Sequence, residues 1–195
     1  MYVRGDADCS WTQDRARVSL AAIRSATGSP KAPIIDIGGG SSSLAGELLT
    51  AGFDDVSVLD ISTAALQLAQ DRLGEQAERI HWLHGDLLAW QPQRRFAIWH
   101  DRATLHFFID DADRARYCDV AQAAIQPGGH AIIATFAPDG PTECSGLPVR
   151  RSSAEDIATL LGPSFTLVTI EHELHRTPRG SLQSFTWAVL RRAEL

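Results

Sequence analysis

The sequence has little that could staple it or hold a metal. Its three cysteines, Cys9, Cys118 and Cys144, are odd in number, far apart and free of C-x-x-C spacing, which argues against a disulfide framework and against a zinc site. No uninterrupted apolar run approaches the ~20 residues that a membrane-crossing helix needs, and the start carries no charged-then-apolar signal pattern. The chain therefore reads as cytoplasmic. A basic run is also lacking: the formal net charge is −6, and the pairs Arg150-Arg151 and Arg191-Arg192 read as solvated surface. Neither nucleic acid nor a membrane is an expected partner.

Two further absences narrow the chemistry. No G-x-S-x-G hydrolase elbow occurs. His172-Glu173-Leu174-His175 is one residue short of H-E-x-x-H and falls in a predicted strand, where positions three apart point to opposite faces. The same geometry disfavours His81 with His84. No metal is expected.

What is present is enough apolar material for one core: 44% of 195 residues are hydrophobic. The expected organisation is a single domain over 1–195, with 1–28 as an N-terminal helical cap. Helical spacing of Leu20 and Ile23 predicts a first helix over 18–27, stopped by Gly28 and Pro30. The β-branched run 32–37 predicts a strand buried on both faces, followed by glycines and a helix over 42–50. Strands follow at 56–59, 80–83, 96–99 and 131–136.

Ser62 is the expected cap of the helix between the second and third strands, and Asp110-Asp111 of one running to Ile125 that Pro127-Gly128-Gly129 ends. A short helix after the fifth strand has Ser152 or Ser153 with Glu155 or Asp156 as a capping box. Strands at 165–174 and 185–190 flank Thr177-Pro178-Arg179-Gly180 as a hairpin. The fold class is α/β: a Rossmann-like, doubly wound, mostly parallel sheet of seven strands with a C-terminal antiparallel hairpin.

Ligands of such sheets bind outside the carboxyl ends of the strands, and four acids fall there: Asp36, Asp60, Asp86 and Asp101. The turn Gly38-Gly39-Gly40 after the first strand lets a ligand approach the backbone closely. Asp60, ending the second strand, can accept hydrogen bonds from ribose hydroxyls, so the pair indicates an adenosine ligand. Asp36 discriminates between candidates. Its carboxylate would repel a pyrophosphate but favour an ammonium and a sulfonium, and Ser43 stands where the third glycine of G-x-G-x-x-G would be. The balance favours S-adenosylmethionine over a dinucleotide.

Asp36-Ile37-Gly38-Gly39-Gly40-Ser41-Ser42 resembles the D-x-G-x-G-x-[GS] loop of class I S-adenosylmethionine-dependent methyltransferases, and the resemblance extends over essentially the whole chain. It implies that Asp60 contacts the ribose, that Ile61 packs on adenine, and that Asp86, with Leu87 beside it, meets the adenine amino group. Residues 98–108 (Ile98-Trp99-His100-Asp101-Arg102-Ala103-Thr104-Leu105-His106-Phe107-Phe108) and 135–141 are similar to small bacterial methyltransferases of the methyltransferase-like 12 type. Some eukaryotic relatives in that neighbourhood modify protein lysines.

Methyl transfer is an in-line displacement that depends on alignment and exclusion of water, and a general base is optional. Asp101 is the first candidate for that base and His106 the second, both on the exit loop of the fourth strand. His100 is expected to lie against the methionine portion of the cofactor through its backbone, and Trp11 to close over the cofactor. Arg102 reads either as an ion-pair partner of Asp101 or as a binder of an anionic acceptor. Cys144 lies in a loop that could cover the acceptor, though an inert buried thiol is the plainer reading.

A small-molecule acceptor is the leading expectation. A protein lysine or other side chain, a non-catalytic module that binds S-adenosylmethionine, and a dinucleotide reductase remain as alternatives.

Overall fold

The run at 34–37 forms β1 (Ile34–Ile37), buried along its whole length as a central parallel strand must be. It belongs to a computed structural model that describes residues 16–178 and 180–194. Before β1 lies α1 (Arg17–Ala26), and after it come α2 (Leu44–Thr50), β2 (Val56–Asp60), α3 (Thr63–Leu73), β3 (Ile80–His84), β4 (Phe96–Arg102) and α4 (Asp111–Ala124). The second half holds β5 (Ile125–Phe136), β6 (Glu143–Cys144), β7 (Leu147–Pro148), α5 (Ala154–Leu161), β8 (Phe165–Arg176) and β9 (Leu182–Arg192).

Seven strands make one sheet in the order β3-β2-β1-β4-β5-β9-β8, parallel from β3 to β5, with β9 antiparallel to both β5 and β8. This is the expected Rossmann-like sheet with its terminal hairpin. Alternation of side chains sorts the sheet into two apolar layers. Ile34, Val58, Ile98 and Ile132 pack against α1, α2 and α3 through Ile23, Leu48 and Leu66. On the other face Ile35, Leu59, Trp99 and Ile133 pack against α4 and α5 through Tyr117, Ala121 and Ile157.

Local chemistry explains several boundaries. Ser62 caps α3 by accepting from the Ala65 N–H at 3.2 Å. Ser153 and Asp156 make a reciprocal capping box on α5, and Gly162 ends that helix at φ 83°. The C-terminal hairpin closes through the Thr177 N–H, which donates to the Ser181 carbonyl at 2.9 Å.

Three expectations need correction. Helix α4 ends at Ala124, within one residue of the expected Ile125, but it is ended by Ile125, already extended and paired with Phe96, and not by Pro127-Gly128-Gly129. The Pro-Gly-Gly stretch instead lies where the β4 to β5 register shifts, with Gly128 at φ 74°. The fourth strand runs on to Arg102, so His100 and Asp101 are strand residues rather than loop residues. Finally, β6 and β7 form a small ladder around Ser145 and Gly146, both at positive φ (52° and 78°), in a stretch expected to be loop.

Candidate functional site

The carboxyl ends of β1, β2 and β4 converge on the glycine turn. Gly38 and Gly40 have φ of 64° and 40°, which L side chains adopt only with strain. Gly39 is required for space instead: a Cβ there would stand 2.5 Å from Asp36 Oδ2 and 2.8 Å from a Val58 methyl. The turn thus rests directly on the Asp36 carboxylate. That carboxylate is buried and accepts from His100 Nδ1 at 2.7 Å, across the β1 to β4 pairing that sets the two residues side by side.

Asp36 is buried beneath the turn. The His100 side chain points into the α1 face to hold Asp36, and its buried Nε2 has no hydrogen-bond partner among the described residues.

Asp60 ends β2 beside the turn. Its carboxylate accepts from the Ser62 N–H at 2.7 Å and from the Gly40 backbone. Burial raises its pKa from the ordinary carboxylate value, the Ser62 N–H pulls it back, and the neighbouring Asp36 raises it further. Ile61 stands next to it with 69% of its surface exposed, the most open large apolar side chain among the described residues. Asp86 is exposed after β3 and accepts from the Leu88 N–H at 2.9 Å. Leu87 is buried in the α4-side core, so its side chain packs and does not face a ligand. Trp11 lies outside the described residues.

These residues fit an adenosine-bearing ligand. The glycine turn presents its backbone at the strand ends, a carboxylate stands at the adjacent strand end, and an uncovered apolar side chain follows it.

Asp101 proves to have a different task from the expected base. It is 0% exposed, on the α4 face, and accepts from the Tyr117 hydroxyl (2.8 Å) and from the backbone N–H groups of Thr104 (2.8 Å) and Leu105 (3.1 Å). Burial raises its pKa to about 6, against those donors. A carboxylate so enclosed anchors the loop that follows it and cannot reach an acceptor proton.

That loop leaves β4 through Ala103, a non-glycine residue at φ 72°, a strained turn of the sort found at functional sites. Thr104 then ties it to the cofactor turn: its hydroxyl donates to the Ile37 carbonyl at 3.1 Å, and its side chain packs where a Gly38 Cβ would stand. Two residues on, in a 3₁₀ turn, comes His106. The His106 ring is 0% exposed, 4.6 Å from the Phe107 ring and 4.7 Å from the Phe136 ring, and neither nitrogen has a hydrogen-bond partner among the described residues. Burial, and secondly the charge of Arg102, lower its pKa to about 3, so the ring is neutral at physiological pH.

Arg102 pairs with Glu173 of β8 (3.5 Å) rather than with Asp101, and its guanidinium lies over the Phe185 ring at 4.5 Å. Glu173 also accepts from Trp187 Nε1 at 2.9 Å and lies 4.0 Å from His175 Nδ1. Glu173, His175, Trp187, Thr104 and Tyr117 were not singled out from sequence. The available signal was a carboxylate and a histidine two apart in a strand, hence on one face. Cys144 is buried on β6.

Comparison with known proteins agrees with this geometry. Residues 34–129 match the family described as "Methyltransferase domain". A S-adenosylmethionine-dependent methyltransferase from Methanosarcina mazei superposes with TM-score 0.75 at 15% identity, over 89% of this chain and 97% of that one. The N-methyltransferase NodS from Bradyrhizobium japonicum gives TM-score 0.71 at 17% identity, covering 91% and 96%. The glycopeptide N-methyltransferase MtfA, solved with S-adenosyl-L-homocysteine, gives 0.68 at 15%, covering 89% of each chain. No curated protein matches the sequence. Residues 34–129 thus match a methyltransferase domain, and the chain shares its fold with S-adenosylmethionine-dependent methyltransferases.

Proposed function

We propose that this protein moves the methyl group of S-adenosylmethionine to a small-molecule acceptor. One observation carries the reading: His106 is fully enclosed, has two nitrogens without partners, and sits on a loop fastened to the cofactor turn through Thr104. An unsatisfied buried polar group costs roughly 1–3 kcal/mol. A ring carrying two such atoms is not explained by packing, but is explained if an acceptor supplies a hydrogen bond. Its enclosure among Phe107 and Phe136 suits a small molecule better than a segment of protein chain.

The cofactor supplies an electrophilic methyl group on a sulfonium. Asp60 binds the ribose hydroxyls, Ile61 covers adenine, and Asp86 meets its amino group. Asp36 and His100 hold the glycine turn in place, and Asp101, through its three hydrogen bonds, fixes the loop that carries His106. Phe107 and Phe136 keep water from the acceptor side. The similarity of residues 98–108 and 135–141 to the methyltransferase-like 12 type belongs to the same reading. The structural neighbours named as N-methyltransferases share the fold alone, so the acceptor atom must be argued from this chain's own residues.

Transfer of label from methyl-labelled S-adenosylmethionine into a fractionated cell extract tests the proposal. Label is expected in small metabolites. Asp60→Ala should weaken cofactor binding by ~1–3 kcal/mol, through loss of charged hydrogen bonds. His106→Phe should keep cofactor affinity, gain stability by about 1 kcal/mol because two unsatisfied nitrogens disappear, and lose transfer. Label in a single protein band would replace the small molecule by a protein side chain. Enzyme-independent label alone, with the cofactor bound, would leave a binding module.

A further inference from the structure

Strand β3 carries two histidines, His81 and His84, three positions apart and so on opposite faces of the sheet. His84 is the cross-strand neighbour of Asp60 in the parallel β2 to β3 ladder. Its ring turns onto the corner that leaves β2: Nε2 lies 3.2 Å from the Ile61 carbonyl oxygen and 3.3 Å from Thr63 Oγ1. A carbonyl only accepts, so Nε2 carries the proton and donates to Ile61. The next residue of the chain works on the same corner, since the Gly85 N–H donates to the Asp60 carbonyl at 3.0 Å. The end of β3 thus holds two successive carbonyls of the segment that presents the Asp60 carboxylate and the Ile61 side chain.

Charge favours the same arrangement. Burial does most to raise the Asp60 pKa, and Asp36 adds to it. His84 acts in the opposite sense, toward the ionised carboxylate that accepts hydrogen bonds. Each of these two strand-end acids therefore has a histidine opposite it on a neighbouring parallel strand: His100 of β4 for Asp36, and His84 of β3 for Asp60. The settings differ. His100 is buried under the turn, whereas His84 is exposed at the rim, where its ring can be removed without opening the core.

We propose, resting on the assignment of Asp60 and Ile61 to the adenosine of the cofactor, that His84 is a positioning residue of that site. Through the Ile61 carbonyl it fixes the angle at which the Asp60 carboxylate meets the ribose and the Ile61 side chain meets adenine. It touches no reacting atom. Its contribution is to cofactor affinity, exerted through the Asp60 corner, and not to the transfer step.

The probe is S-adenosylhomocysteine, titrated calorimetrically into the full-length protein and into variants whose thermal melts show them folded. His84→Ala should weaken binding about three- to ten-fold, the worth of one hydrogen bond. His84→Gln, whose amide N–H can donate to the same carbonyl, should restore most of the affinity. His81→Ala, on the same strand but the other face, should bind like the wild type. In an Asp60→Ala background, His84→Ala should cost clearly less than it does alone, because the carboxylate that it positions is gone.

Wild-type affinity in His84→Ala, failure of His84→Gln to restore what alanine loses, or an undiminished loss in the Asp60→Ala background would each overturn the inference and leave the cofactor reading in place. Failure of S-adenosylhomocysteine to bind the wild-type protein would instead overturn the reading on which it rests, and the inference with it.

Discussion

His100 Nδ1 lies 2.7 Å from Asp36 Oδ1, and the two residues sit opposite each other on neighbouring parallel strands with both side chains buried. The pair is the floor of the glycine turn, since the other Asp36 oxygen occupies the space beneath Gly39. Removing one member of a buried hydrogen-bonded pair costs about 1–3 kcal/mol or more, because the other is left buried without its partner. Asp36→Ala and His100→Ala should each lose stability of that order in urea denaturation, and S-adenosylhomocysteine affinity should fall with both. In the double variant Asp36→Ala with His100→Ala, the loss should be smaller than the sum of the single losses by ~0.5–3 kcal/mol. Strict additivity would show that the two side chains work independently.

Asp101 gives the fold a pH dependence of a definite sign. Burial raises its pKa in the folded state to about 6, above its ordinary value of 3.8. Between those two values the folded protein holds a proton that the unfolded chain has released, so stability contributed by this group declines as pH rises from 3.8 to about 6. Each unit is worth about 1.4 kcal/mol, so the decline amounts to ~3 kcal/mol from this carboxyl alone. Asp101→Asn cannot titrate. The difference in unfolding free energy, wild type minus Asp101→Asn, should therefore fall across that window and be flat on either side of it. A flat difference throughout would mean that the Tyr117, Thr104 and Leu105 donors fully offset the burial.

Much of this arrangement was legible before any coordinates. The glycine turn, the acids at the strand ends and the Ser153 capping box are local signals, written within a few residues of one another. The opposite is true of what the acids do. Whether Asp36 or Asp101 faces a ligand depends on how far β4 extends and which side of the sheet each residue takes, and the strand runs three residues further than its apolar run suggests. The partners that define their roles lie far away in sequence: His100 is 64 residues from Asp36, and Glu173 is 71 from Arg102. Glu173 also follows a register shift between Leu167 and Thr169, so simple alternation from the start of β8 does not predict its face.

Gly39 offers the sharpest test of how the site is built, because its need for glycine is steric and not conformational: it is absent from the positive-φ glycines, whereas Gly38 and Gly40 are among them. In Gly39→Ala the new methyl would stand 2.5 Å from Asp36 Oδ2 and 2.8 Å from a Val58 methyl. Neither can yield cheaply, since Asp36 is held by His100 and Val58 is packed in the α2-side core. Overpacking of this kind costs ~1–3 kcal/mol and should displace the turn, so stability and S-adenosylhomocysteine affinity should fall together. Adding Val58→Ala relieves one of the two clashes and should restore part of the stability. Gly28→Ala is the matched control: no atom lies within 4 Å of its Cβ position, and its φ is outside the left-handed range, so it should be neutral or slightly stabilising, by up to about 1 kcal/mol. If Gly39→Ala melts and binds like Gly28→Ala, the turn does not rest on Asp36 in solution.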